Sequence, residues 1–502
     1  MASSMQKREI GAVLLTAIGI GAMIGSGIYT TPGLLASVSG PLSILAIVFM
    51  AIVTAILIYI LAELGKIYPK AGGLYYFARE VYGDLSGFIT GLCYYSTCFI
   101  GTAAIIYTFL LYLSYYVPSL AVGGLTLTPL GTATAIVILA IITAINVIGV
   151  KYGAGLNFIL TLGRIIPLLV FIAIGFTRIN PSNFEPFAPY GIGSMALTVA
   201  FGFWMFLGFE GIVLVSEEVV EPEKNIMRSA IGTIVVVSIV YMLLMTAFVG
   251  SINWEALGIA EKDWKSVSGL SSPLADVAKA WGMTGLPELM ILGAVISSAG
   301  CFSDWVLLQG RVAYALAREN RLWRPLGNLH PRFATPSNAL IFSSILTAII
   351  MILIPSFPNV ILISLITEFI PYGVSALSIT KIKHNPKWMV IGLVGFIFSS
   401  LYIYWACWPW TLTGTILAVI SLLLYPVVAK GSPYLKELRK NLWYITFLVG
   451  LTVISLLGDS SFEYNNFLPI SPLNVLRMPL DMVVIAVFAI VVYVWAIKTG
   501  QE

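Results

Sequence analysis

Charge is what this chain of 502 residues has least of: 10% of its residues are Asp, Glu, Lys or Arg, while 59% are hydrophobic. A water-soluble protein carries roughly 25% charged residues, so a water-exposed globular surface is excluded. The apolar runs are each long enough for a helical span of about 20 residues. None shows the short alternating segments of an outer-membrane barrel. The first run is too long for a cleavable signal peptide and precedes no small-residue cleavage site. Once the runs are set aside, no soluble domain of useful size is expected. Cysteine is also scarce: Cys93, Cys98, Cys301 and Cys407 all fall inside apolar runs. They show no disulfide framework or metal-ligand spacing and read as small buried hydrophobes. The only histidines, His330 and His384, lie in basic loops. No metal, cofactor or nucleophile–base pair is therefore expected, which argues against an enzyme. The net charge of +4 is explained by the loops and implies no nucleic-acid partner.

What is present is a series of apolar runs separated by breakers. They lie near 10–37, 41–64, 86–117, 129–149, 155–177, 192–218, 229–251, 286–317, 338–356, 358–380, 388–408, 410–429, 441–458 and 477–498. This predicts an all-α polytopic membrane protein with about fourteen spans. Lys and Arg set the orientation. With the N-terminus inside, 21 of the 27 lysines and arginines fall in cytoplasmic loops. The outer side keeps Arg178, Lys262, Lys265, Lys279 and Arg477, and Arg164 sits within a span. Both termini are expected in the cytoplasm of a multi-pass cell-membrane protein.

The first run contains "GIGAMIGSGIYTTPG", Gly19 to Gly33. Glycine costs about 1 kcal/mol relative to alanine inside a helix, so this clustering predicts a break at Gly25-Ser26-Gly27. Unwinding frees N–H groups and exposes a positive helix terminus, suited to a carboxylate. The Ser26 hydroxyl adds a donor. The competing reading is close helix packing, since Gly21 and Gly25 have GxxxG spacing. A second interrupted run, "FGFWMFLGFEGIVLVSEEV", opens the sixth span. Two interrupted helices in corresponding positions predict a five-plus-five inverted repeat with a site near the midplane. The repeats would be residues 10–177 and 192–380, followed by accessory helices over 388–498.

The motifs "IGAMIGSGIYTTPG", "YPKAGGLYYFAREVYG", "FWMFLGFEGIVLVSEEV" with "EPEKNIMRSAI", "SDWVLLQGRVAYALARENRLWRPLGNLHPRFATPSNAL" and "IPYGVSAL" follow one another over about 20–380. Together they resemble the amino acid–polyamine–organocation (APC) transporter superfamily. A fourteen-span total resembles its cationic-amino-acid branch. Span 3, Trp204 and Trp305 resemble bacterial arginine/agmatine-type exchangers. The chain departs from the pattern after span 6, where Glu221-Pro222 replaces the usual Asn-Pro and Met227 the later proline.

The resemblance implies a LeuT-like core with helices 1 and 6 broken. It also implies an α-ammonium held by the carbonyls of Met23, Trp204 and Leu207. Trp204 matches the family's occluding aromatic, although an ordinary core tryptophan is the bland alternative. Trp305, Tyr94 and, with less support, Phe206 are candidate wall residues, and Tyr372 is read as structural.

Ionisable residues at membrane depth are functional candidates. Glu210 matches a recurring family carboxylate and is the candidate for proton-linked gating; the alternative is a brace for the unwound segment. Arg164 stands where many sodium-independent relatives have a lysine and would replace a sodium ion, or simply pair with free carbonyls. Arginine cannot shuttle a proton. Asp304 and Glu368 would receive a basic substrate side chain or serve structure, and Glu217 and Glu218 would anchor the inner end of span 6.

The implied activity is sodium-independent secondary transport of an amino acid by alternating access, through exchange or proton linkage. Polyamine or diamine transport is the alternative in the same class, and a transporter-like amino acid sensor is the alternative outside it. The expected partners are an amino acid and membrane lipid, with protons as partners in the proton-linked mode. The state is open between monomer and homodimer.

Overall fold

The computed structural model describes residues 10–68, 73–149, 154–214, 219–429, 433–459 and 470–499. The described residues are mainly helical, in the order α1 (Ala12–Met23), α2 (Gly27–Ser39), α3 (Leu42–Ile67), α4 (Gly73–Tyr82) and α5 (Asp84–Leu113). There follow α6 (Pro129–Ile148), α7 (Ala154–Phe176), α8 (Ser194–Phe206), α9 (Gly211–Leu214) and α10 (Pro222–Gly250). Next come α11 (Trp254–Leu257), α12 (Pro273–Ala280), α13 (Leu286–Arg318), α14 (Ser337–Leu353) and α15 (Phe357–Lys383). The last are α16 (Pro386–Trp405), α17 (Leu412–Val428), α18 (Tyr434–Lys440), α19 (Leu442–Leu457) and α20 (Leu480–Lys498).

Each apolar run of the sequence holds a helix. Among the described residues, eight helices are long and apolar enough to cross a membrane singly, and ten candidate spans result when two bent pairs are each joined. Exposed Val13, Ile52, Val137, Leu423 and Val487 give the outer helices an apolar surface. That surface suits lipid, since backbone polar groups inside helices are already satisfied.

Helix ends follow local chemistry. Pro129 occupies the first turn of α6, and the Thr128 hydroxyl accepts the Gly131 N–H at 3.1 Å. The helix stops at Gly149, whose φ of 81° is left-handed. Asn385 caps α16 by accepting the Trp388 N–H at 3.0 Å, again with proline next. The seventh span starts at Pro222 instead of near 229, because proline suits a first helical turn. After α5 the chain makes a two-stranded hairpin, β1 (Ala121–Val122) with β2 (Thr126–Leu127), which the apolar pattern does not announce.

The first run bends by 51° between α1 and α2. The sixth stops at Phe206 and is helical again from Gly211 in α9. Glu217 and Glu218 lie outside the described residues. α15 is enclosed on all sides, packed chiefly on α5 and α16.

The connection from α10 to α13 carries α11, a 3₁₀ turn at Trp264–Gly269, and α12, and it lies on α2. Trp264 is buried there and meets Trp254 edge-on at 4.7 Å. Asp276 of α12 accepts the Ser272 N–H at 3.2 Å. Burial pushes its carboxyl from the ordinary 3.8 up to about 6. A raised folded value means that the stability this group contributes is present at acid pH and lost as pH rises from about 4 to about 6. Thermal melting across that window should fall in the native protein and fall less in Asp276→Asn; parallel curves would refute the assignment.

Candidate functional site

The two breaks touch. Gly208 has a φ of +102°, and a Cβ there would lie 2.6 Å from the Ala22 carbonyl oxygen. Only glycine lets the backbone of the sixth run cross the first at this distance. Between them is a cavity of about 30 Å³ lined by Ala22, Met23, Gly25, Ser26, Gly27, Ile105, Trp204, Leu207, Cys301 and Trp305. Seven of the eight substrate-binding residues expected from the sequence therefore surround one space. Its volume is about the share of one water molecule in the liquid, too small for an amino acid.

Two tryptophans line it. Their rings lie 6.2 Å apart at 46°. Each rests on a glycine: a Cβ on Gly27 would stand 2.7 Å from Trp204 Cδ1, and one on Gly101 would stand 2.5 Å from Trp305 Cζ3. Gly27 thus admits an indole as well as starting α2. Trp204 Nε1 is buried without a partner. The eighth expected wall residue, Tyr94, lies elsewhere. It lines a second cavity of about 280 Å³ with Tyr75, Tyr76, Arg311 and Glu319. Phe206 packs instead on Tyr241, with rings 5.2 Å apart.

The freed backbone groups are occupied in this form. The Gly25 N–H donates to the Met23 carbonyl at 2.8 Å, and the Ser26 backbone N–H is directed at the Cys301 sulfur. Thiol sulfur is a weak acceptor. In the sixth run, the Gly208 N–H would close the next turn onto the Trp204 carbonyl. It donates instead to Glu210 Oε2 at 3.1 Å. That oxygen also accepts the Tyr372 hydroxyl at 3.0 Å. Glu210 therefore holds the unwound segment, and Tyr372 helps it do so.

Arg164 ties the other break. Its Nη1 donates to the Gly21 carbonyl at 2.8 Å and lies 3.9 Å from Cys301 Sγ. The guanidinium thus meets the negative end of α1. The Arg164 carbonyl accepts the Tyr29 hydroxyl at 2.6 Å, and the Tyr29 carbonyl accepts that of Tyr112 at 2.7 Å. Gly21 serves here through its carbonyl. Asp304 lies within electrostatic reach of Arg164 and Arg311.

One residue of the site was not singled out from sequence. The Tyr241 hydroxyl lies 2.7 Å from the carbonyls of both Met23 and Met205, so one proton is shared between the two broken helices. The signal was a lone hydroxyl-bearing ring in the apolar face of the seventh run. Tyr241→Phe removes the donor that the Met205 carbonyl has at the break and leaves the Met23 carbonyl to the Gly25 N–H, a loss of about 1–3 kcal/mol. Substrate exchange should drop about tenfold or more with little change in protein yield. Wild-type exchange in that variant would show the bridge to be idle.

Comparison with known proteins agrees with this architecture. The amino acid permease family matches residues 10–460. The chain is 28% identical to the glutamate/serine transporter AimA of Bacillus subtilis (strain 168), across 99% of this chain and 94% of that protein. It is 27% identical to the aspartate-proton symporter of the same organism, across 97% and 95%. With the serine/threonine exchanger SteT, also from that organism, it shares 29% identity across 76% and 84%. The motifs, the two broken runs and a match over nearly the whole chain lead to one conclusion: this multi-pass membrane protein belongs to the amino acid permease family.

Proposed function

We propose that the chain is a secondary active transporter that moves a small amino acid across the cell membrane by alternating access, without sodium, by exchange or proton linkage. The observation that carries this reading is the small cavity framed by both helix breaks. The substrate carboxylate takes the N–H groups and hydroxyl of Ser26 and Gly27, displacing only a weak sulfur acceptor. The α-ammonium meets the carbonyls of Trp204 and Leu207. The Met23 carbonyl contributes once Tyr241 or the Gly25 N–H releases it. Trp204 and Trp305 separate to admit the side chain and close over it. Glu210 couples to gating through the segment it holds, while Arg164 supplies the charge that a sodium ion would otherwise bring to the end of α1.

In this reading the fourteen helical runs are fourteen spans, the first ten form a five-plus-five inverted repeat over 10–177 and 192–380, and both termini are cytoplasmic. The relatives named for serine, threonine, aspartate and glutamate support a small polar substrate.

Counterflow in proteoliposomes tests it, with labelled amino acids and diamines, with and without sodium and a pH gradient. Exchange of a small amino acid, unchanged by sodium, is expected. Stimulation by sodium at fixed pH and potential would refute the role of Arg164, and binding without flux would identify a sensor.

A further inference from the structure

Glu368 of α15 is 1% exposed, and neither of its carboxyl oxygens has a hydrogen-bond partner. The hydroxyls beside it are those of Tyr372 and Thr97. Both are committed elsewhere: Tyr372 donates to Glu210, and Thr97 bonds the Thr367 hydroxyl at 2.8 Å and faces the Cys93 and Ser364 carbonyls. An ionised carboxylate can only accept hydrogen bonds, and burying one without donors or a counter-charge costs several kcal/mol. Neither Glu210 nor Glu368 takes part in an ion pair among the described residues.

The titratable groups facing the pair are Cys93, Tyr94 and Cys98 of α5 and Tyr372 of α15 itself, while Tyr402 of α16 stacks on the neighbouring Phe369 and donates to the Ala200 carbonyl. None brings a positive charge. Tyr94, Thr97, Cys98, Glu368 and Tyr372 are all buried, and among the described residues no lysine or arginine acts on either carboxyl. The one cation that fits is a proton.

The geometry points to Glu368 as the resting holder of a proton, which reaches Glu210 through the Tyr372 hydroxyl when the Glu368 carboxyl turns onto that hydroxyl. The Glu368 O–H breaks as the tyrosine oxygen takes its proton, while the original tyrosine proton moves to Glu210 Oε2. One proton is displaced, and nothing is oxidised or reduced. Once Glu210 is protonated, its grip on the Gly208 N–H weakens, and with it the geometry of the segment that carries Trp204. Tyr94 stands beside both carboxyls and also lines the 280 Å³ cavity, so a proton entering from that cavity would pass its buried hydroxyl.

This inference rests on the transport reading above only for its consequence, so two independent measurements are used on the full-length protein. In infrared difference spectra of wild type against Glu368→Gln, the protonated buried carboxyl band should be present in wild type and absent in the variant. Glu210→Gln should retain it. A band unchanged in Glu368→Gln, or one lost only in Glu210→Gln, overturns the proposal whether or not the protein transports anything.

In proteoliposomes, serine counterflow of wild type should change with pH by as much as about tenfold per unit, the limit for one proton. In Glu368→Gln it should become flat, and Glu368→Asp should restore the slope. Tyr372→Phe, which interrupts the relay without removing a carboxyl, should also flatten it. A wild-type slope in both Glu368→Gln and Tyr372→Phe overturns the relay. Absence of wild-type counterflow defeats the transport reading and leaves the infrared result to decide this one.

Discussion

Gly208→Ala should abolish substrate exchange while leaving a folded, membrane-inserted protein. At a φ of +102° an alanine is strained by about 1–3 kcal/mol. Its Cβ would also lie 2.6 Å from the Ala22 oxygen and 2.8 Å from the Ala22 carbonyl carbon, both backbone atoms that cannot rotate away. Overpacking of this kind costs about 1–3 kcal/mol more. The smaller sum, about 2 kcal/mol, already reduces the crossed arrangement roughly thirtyfold. Gly269→Ala is the matched control, since nothing lies within 4 Å of its Cβ position. Counterflow normalised to protein amount checks the pair. Equal rates in both variants would separate the crossing of the two breaks from transport.

Arg164→Ala should cost nearly as much. Arg164 is 4% exposed and holds the Gly21 carbonyl. A hydrogen bond to a charged group contributes about 1.5–3 kcal/mol, and its loss leaves the last carbonyls of α1 at a buried, partly negative helix end. Exchange should fall by one to two orders of magnitude and the melting temperature by several degrees. Arg164→Lys retains charge but not the planar fork, so it should lie between wild type and alanine in both measurements. An alanine variant as stable and active as wild type would leave the guanidinium without a role.

The helices were legible because an apolar run of twenty residues has few alternatives in a chain so poor in charge. The break in the first run was legible for a related reason: Gly25 and Gly27 flank a serine where a continuous helix would place larger apolar residues. Other features depended on distance in space. Tyr241 meets Met23 across 218 positions of chain, and no local pattern announces it. Tyr94 was grouped with the tryptophans because it is an aromatic of span 3, yet its own turn of helix faces the neighbouring cavity. For Glu210 the sequence left gating and a brace both open, and what it did not announce was the second partner, a tyrosine from α15 beside the backbone N–H two residues away. For Glu368, what mattered was that its neighbours' hydroxyls were already engaged, and a sequence does not carry that.

The complete enclosure of α15 has a consequence for how the chain is made. A helix with protein on every side has no lipid-facing surface in the finished molecule, although it emerges in the chain before α16 and the later helices that cover it. During that interval the side of α15 that will meet α16 is open to the bilayer, while Glu368 needs a protein surface such as α5 to shield it. Assembly of the carboxyl cluster is therefore tied to the order of synthesis: α5, already waiting, receives α15, and α16 seals it.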